Sequence, residues 1–341
     1  MHTHKLILLL SILLASFTTN AAFGCSRFTY TAANNTVIIG RSMDWDQDIK
    51  TDLWAFPAGM ARKGDSSSNA VLWTSKYGSV VASGYDLGAA DGINSKGLTA
   101  NLLYLATADY GKPQANHKNL SVFSWTQYVL DNYATVDEAV KDLNEAQFNM
   151  IAPVLPNGAK ASLHLAISDP TGDNAIFEHV NGKLIIHHGK RYKVMTNEPV
   201  YDKQLALTDY WKRLSGQFLP GTGEPDDRFV RASYYLETAP ETSDLSQAIS
   251  IVFSIIRNVS VPIGQTIPGK PNVSPTLWRT VADLKHKVYF FESADRPNIF
   301  WIDLQKLDLS NNGKMMRLPL SNNQIYSGEA SKYFVKSKTT F

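Results

Sequence analysis

A single cysteine, Cys25, occurs in 341 residues, so no intramolecular disulfide can form. Excess charge of one sign is lacking as well. The 33 Lys and Arg nearly balance 31 Asp and Glu, for a net charge of +2, which creates no field for nucleic acid or an acidic lipid surface. Basic residues come only in scattered pairs such as Arg62-Lys63 and Lys190-Arg191. There is no G-x-S-x-G elbow, H-E-x-x-H pair, G-x-x-x-x-G-K-[ST] loop or G-x-G-x-x-G turn, which leaves metal and nucleotide chemistry without sequence support. The eight histidines are dispersed. His187 and His188 would face opposite ways on a strand, so the histidines read as ordinary strand and surface residues, and neither a metal nor another cofactor is expected.

Apolar runs of membrane-spanning length are also missing. The longest, Leu6 to Ala15, is ten residues broken by Ser11, too short for a helix across about 30 Å of hydrocarbon. Its basic start at His4-Lys5 and small-residue end at Ala21-Ala22-Phe23-Gly24 fit a secretory signal peptide over residues 1–24. The expected mature chain, 25–341, is then periplasmic or extracellular, where an unpaired thiol is a liability. Cys25 therefore needs a reason, and its place as the first mature residue supplies one.

What the sequence does contain is an unbroken globular pattern, 44% hydrophobic and 11% aromatic, with no repeat or linker, which implies one large domain. Ser26 to Thr31 and Thr36 to Gly40 flank the turn-prone Ala32-Ala33-Asn34-Asn35, predicting a hairpin with Cys25 at its open end and Arg41 returning beside it. Further strands are expected over 98–105, 162–168, 175–179, 183–188, 192–196, 278–283, 287–292 and 299–303, with Asn181-Gly182 as a hairpin turn. Helical periodicity covers 121–133, 136–148, 201–214, 228–236 and 245–258, the second after the capping box Thr135 to Glu138. Strands and helices in blocks favour an α+β layered fold with largely antiparallel sheets.

An N-terminal cysteine suits amide hydrolysis with few parts. The thiol is the nucleophile, and the free α-amine, with an ordinary pKa of about 7.7 to 8.0, accepts and returns the proton. A nearby guanidinium would favour the thiolate, and Arg41 is the candidate. Asp44 could hold the α-amine by a charge-assisted hydrogen bond. Taken alone, this Arg/Asp pair reads more readily as a surface ion pair; the hairpin that folds it towards Cys25 turns the argument.

Cys25-Ser26-Arg27-Phe28 and Arg41-Ser42-Met43-Asp44-Trp45 resemble the start of the choloylglycine hydrolase family, which contains penicillin V acylases and bile salt hydrolases. Asp91-Gly92-Ile93-Asn94-Ser95-Lys96-Gly97-Leu98 is similar to its D-G-x-N-x-K-G-L segment, Thr196-Asn197-Glu198-Pro199 to its T-N-x-P, and Leu219-Pro220-Gly221 with Arg228-Phe229-Val230-Arg231 to its L-P-G and R-F-x-R. The resemblance covers nearly all of 25–341. It implies the αββα four-layer sandwich of N-terminal nucleophile (Ntn) hydrolases, usually a homotetramer acting on small-molecule amides. Cys25, Arg41, Asp44, Asn197 and Arg228 carry over as the catalytic set, and the Asn197 side-chain amide with a backbone N–H is the expected oxyanion hole.

One position departs from the Gram-positive bile salt hydrolases. Seven residues after Gly97 they have asparagine, whereas this chain has Tyr104. An aromatic residue there, and Trp45 after the aspartate, make it similar to the Gram-negative penicillin V acylase-like branch. Trp45 and Tyr104 are then substrate-binding candidates, with core packing as the alternative. The expected substrates are linear amides of an apolar acyl group and a small polar amine, such as penicillin V or N-acyl homoserine lactones. Conjugated bile salts are the alternative within enzymes. A non-catalytic lipoprotein lipidated at Cys25 is the alternative of another class, disfavoured because Ala22-Phe23-Gly24 is a poor lipobox.

Overall fold

The computed structural model describes residues 24–341 except 157, 159, 215–218, 266–273, 297, 323 and 340; the expected leader thus lies outside the described residues apart from Gly24. β1 (Cys25–Thr31) and β2 (Val37–Asp44) form the expected hairpin. They pair antiparallel over seven positions, from Cys25 opposite Met43 to Thr31 opposite Val37. Asn34 Oδ1 accepts the Thr36 N–H in the turn, and Asn35 takes a positive φ of 60°. Nearly every residue of both strands is buried. Central strands covered on both faces need no polar alternation, which explains the continuous apolar and β-branched run.

The hairpin belongs to a seven-stranded sheet, in the spatial order 194–195, β1, β2, 276–283, 288–293, 299–303, 328–329. A nine-stranded sheet runs 183–188, 174–180, 163–168, 99–104, 88–94, 79–84, 53–56, 316–318, 335–336. The helices α1 (Val122–Asn132) and α2 (Val136–Glu145) pack on the nine-stranded sheet. Of α3 (Tyr201–Arg213), α4 (Pro225–Thr238) and α5 (Leu245–Asn258), the last two pack on the seven-stranded sheet and α3 packs on α4. The two sheets meet face to face, giving the four αββα layers. α5 lies so close over β2 that a Cβ at Gly40 would come within 2.9 Å of Val252 and 2.8 Å of Phe28.

Several expected bounds move. The pattern over 136–148 breaks at Glu145, and Phe148–Ile151 pairs in parallel with Lys118–Ser121 instead. The strand expected over 192–196 shrinks to Val194–Met195. Strands Leu53–Phe56, Ser79–Gly84 and Gly88–Asn94 were not anticipated, the last two because glycine, alanine and aspartate dilute the β signal. At Asn181-Gly182 both residues take positive φ, 51° and 73°, as a type I′ turn requires.

The space between the sheets is not wholly apolar. Arg27 of β1, fully buried, donates from Nε to Asn101 Oδ1 at 3.2 Å and from Nη2 to the Ser168 hydroxyl, and burial lowers its pKa to about 10. Asp91, from the D-G-x-N segment, accepts from Asn101 Nδ2 and, across the interface, from the Thr280 and Tyr289 hydroxyls. Asn94 of the same segment ties the turn together, accepting from the Lys96 and Leu98 N–H groups and donating to the Leu130 and Tyr133 carbonyls. Gly97 has a φ of 86°, and a Cβ there would strike the Leu284 carbonyl. These motif residues hold layers together. Replacing Asp91 by Ala strands three buried donors, each costing about 1–3 kcal/mol. Urea unfolding of Asp91→Ala should therefore show a loss of about 3 kcal/mol or more; a loss below about 1 kcal/mol would contradict the interlayer role.

Candidate active site

Cys25 sits at the first position of β1, 2% exposed. Strand pairing sets Met43 opposite it, with Sδ 3.8 Å from Sγ, and brings the Asp44 carbonyl to 4.0 Å. With Gly24 still joined, the Cys25 N–H donates to Asn197 Oδ1 at 2.6 Å. Asn197 follows the short strand Val194–Met195, which pairs with β1 through Arg27 opposite Met195; this is how a residue 172 positions away reaches Cys25. The Asn197 Nδ2 donates to the Tyr104 carbonyl at 2.7 Å and keeps a second hydrogen.

Arg228, in the first turn of α4, is fully buried and ties the site together. Its Nη1 donates to the Cys25 carbonyl at 2.8 Å and the Ser26 hydroxyl at 2.6 Å. Its Nη2 donates to Asn197 Oδ1 at 2.9 Å, and its Nε to the Gly223 carbonyl. Asp44 Oδ2 lies 3.5 Å from Nη1 but accepts no hydrogen bond among the described residues, while Oδ1 accepts from the Thr276 hydroxyl at 2.6 Å. Burial pushes the Asp44 carboxyl up, against the pull of Arg228.

The structure brings all five carried-over residues to the end of the β1–β2 hairpin, where the Cys25 N–H, with Gly24 attached, meets Asn197. Arg41 is fully buried, with its guanidinium 4.3 Å from the Trp278 ring and Nη2 donating to the Leu102 carbonyl. It approaches the thiol through Met43, whose Sδ is 3.6 Å from Nη2. Burial raises the Cys25 pKa, and Arg41 acts against that rise, the direction expected of a nearby guanidinium. Thr276 was not singled out, and Met43 appeared only as a motif letter; no local pattern marks a side chain recruited across strands.

Cys25 lines a cleft of about 80 Å³, walled largely by apolar groups that include Met43, Trp45, Leu102, Tyr104 and Phe123. Trp45 and Tyr104 meet edge to face at 5.9 Å, and Trp45 Nε1 donates to the Tyr85 hydroxyl at 2.7 Å. Burial, with the Glu198 charge, raises the Tyr104 pKa to about 12, so its phenol stays neutral. Both aromatics therefore pack into the core and wall the cleft at once. Among the described residues no three His, Cys, Asp or Glu side chains gather as a metal site, and no helix is long and apolar enough to cross a membrane.

Residues 25–317 match the family of linear amide C–N hydrolases, choloylglycine hydrolase family. The chain is 44% identical to a penicillin V acylase of Pectobacterium atrosepticum, over 95% of this chain and 93% of that one. It is 26% identical to a bile salt hydrolase/transferase of Clostridium perfringens, over 84% and 94%. Among solved structures, penicillin V acylase from Agrobacterium tumefaciens superposes with a TM-score of 0.87 at 50% identity, covering 92% of this chain and 98% of that one.

The thiol's environment is measurable on the chain with Gly24 attached. Alkylation of Cys25 by iodoacetamide should keep rising with pH beyond the ordinary thiol range of about 8–9. Because Arg41 opposes the rise, Arg41→Met should slow the reaction at fixed pH by about tenfold, equivalent to about one pKa unit. An unchanged rate would mean that Arg41 does not act on the thiol.

Proposed function

The chain belongs to the choloylglycine hydrolase family of linear amide C–N hydrolases, and from that premise we propose that its nucleophile is Cys25 as the N-terminal residue of the mature protein, acting on amides of an apolar acyl group with a small polar amine. The observation that carries this reading is that the Cys25 nitrogen and carbonyl are both held by buried side chains, Asn197 and Arg228, while its thiol borders the apolar cleft.

In the proposed reaction Sγ attacks the amide carbon, and the Cys25 α-amine takes the thiol proton. The carbonyl oxygen becomes an oxyanion facing the second Asn197 Nδ2 hydrogen and a backbone N–H. Collapse breaks the C–N bond as the α-amine returns the proton to the leaving amine, and a thioester remains. Water, deprotonated by the same amine, then releases the carboxylic acid and restores the thiol. Asp44 Oδ2, which accepts no hydrogen bond among the described residues while Gly24 is attached, is the available acceptor for an α-ammonium freed by cleavage. Arg228 holds the Cys25 carbonyl and Asn197 fixed, and Arg41 sets the charge behind Met43.

The walls of the cleft favour an aromatic or extended aliphatic acyl group, as in penicillin V or an N-acyl homoserine lactone. Contact of a ring with Trp45 or Tyr104 is worth roughly 0.5–1.5 kcal/mol beyond burial. High identity to two penicillin V acylases supports this choice over a bile salt. The same reading has the protein exported to the periplasm, with the leader over residues 1–24 removed, and assembled as a homotetramer; the leader pattern and the family resemblance support these. No cofactor is called for.

Intact mass of protein from its native compartment should correspond to a chain beginning at Cys25 with a free thiol; a diacylglycerol adduct, or a leader retained on fully active protein, would end this account. Cys25→Ala should abolish turnover, and Arg41→Ala and Asp44→Ala should lower kcat by at least about 10²-fold. Comparing kcat/KM for penicillin V, a long-chain N-acyl homoserine lactone and glycocholate, with Trp45→Ala and Tyr104→Asn alongside, tests the substrate class. Glycocholate as the best substrate, or an unchanged ranking in both variants, would overturn it.

A further inference from the structure

Outside the residues already described, the buried groups nearest to Asn197 include an ionisable pair. His164 and Glu178 occupy the inner face of neighbouring strands in the nine-stranded sheet, where the pairing of Leu165 with Phe177 sets them side by side. Both are almost completely buried, His164 at 1% and Glu178 at 1% exposure. His164 Nδ1 lies 2.9 Å from Glu178 Oε1, and Nε2 lies 2.9 Å from the carbonyl oxygen of Thr196, the residue before Asn197.

The partners fix the protonation of the ring. A carbonyl oxygen only accepts, so Nε2 carries hydrogen. Glu178 Oε2 accepts the N–H of Tyr201, the first residue of α3, at 2.9 Å, and the positive end of a helix favours a carboxylate. Oε1 of a carboxylate also only accepts, so Nδ1 carries hydrogen too. Two ring hydrogens make a cation.

We infer that His164 is a positioning residue: a buried imidazolium, anchored by Glu178, that reaches across to the opposite sheet and holds the Thr196 carbonyl so that Asn197 meets Cys25. This rests on the role proposed for Asn197. Beside the Asn197 and Glu198 side-chain contacts with Cys25, Tyr104, Ala106 and Arg228, the segment is anchored by Gln204 of α3 and by Pro225, which opens α4. Gln204 Nε2 donates to the Thr196 hydroxyl and to the Asn197 and Glu198 carbonyls, and the Thr196 hydroxyl donates to the Pro225 carbonyl. None of these contacts the Thr196 carbonyl. The other charged groups around the pair are Glu198, beside Asn197, and His187, whose Nδ1 is 3.8 Å from Asp202 of α3. Losing the ring therefore frees the main chain immediately before the proposed oxyanion donor while leaving the cleft walls in place.

The test has two arms on the full chain. In protein labelled with ¹⁵N-histidine, the resonance that disappears in His164→Gln should show both ring nitrogens protonated at pH 7.5; the pattern of a neutral tautomer would overturn the inference. The spectrum can be recorded equally in Cys25→Ala protein, so it stands apart from whether Cys25 is the nucleophile. In the kinetic arm, His164→Gln should lower kcat by roughly 10- to 100-fold, as expected for misplacement of a group near the chemistry, with KM for penicillin V held within about twofold. An unchanged kcat, or a loss confined to KM, would also overturn it. If Cys25→Ala or Asn197→Ala retained full activity while His164 remained an imidazolium, the site reading would fall and the charge state of His164 would survive.

Discussion

Asn197 Oδ1 accepts both the Cys25 N–H and an Arg228 Nη2–H, and that single oxygen fastens three segments that share no local sequence. β1 brings the cysteine, the chain after Val194–Met195 brings the amide, and the first turn of α4 brings the guanidinium. A carbonyl-type oxygen has two lone pairs, and both are used here by donors pointing from different directions. The Cys25 backbone is thereby fixed in place, the kind of preorganisation that the proposed reaction needs. Moving Asn197 would leave Arg228 with unmet donors in a fully buried setting, a cost of several kcal/mol.

Charge burial runs through the whole interior. Arg27, Arg41 and Arg228 are all fully buried, and each is accommodated differently. Arg27 donates to side chains of the facing sheet, Arg228 to the Cys25 and Gly223 carbonyls and to Ser26 and Asn197, and Arg41 lies on the Trp278 ring with few hydrogen bonds. A guanidinium is weakly hydrated and stacks on aromatic faces, so Arg41 can be held there while its Nε and Nη1 donate to no partner among the described residues. Such an arrangement leaves its charge less quenched than a tight ion pair would, and the thiol next to Met43 feels it.

Much of this was legible in the chain. α1, α3 and α5 carry helical periodicity, with side-chain caps at α1 and α5, and the register of the β1–β2 hairpin places Cys25 beside Met43-Asp44 as its turn demands. Strands Ser79–Gly84 and Gly88–Asn94 were not legible, because their small residues are chosen by close packing rather than by β preference: a Cβ at Gly92 would lie 2.7 Å from Val81. The His164–Glu178 pair was hidden for another reason. A histidine inside an apolar run looks like any buried strand residue until its two acceptors are known.

By itself the sequence determined that one thiol is present, that it opens a hairpin of buried strands, and that the surrounding motifs place the chain among amide hydrolases. Those are properties of composition, short-range period and segment resemblance, which chain order preserves. Tertiary structure alone decided which donors and acceptors meet: Asn197 reaches Cys25 across 172 positions, and Thr276 reaches Asp44 across 232. No local rule encodes such pairings. They follow from two sheets packing face to face, where each buried polar atom must find a partner or carry the cost of lacking one.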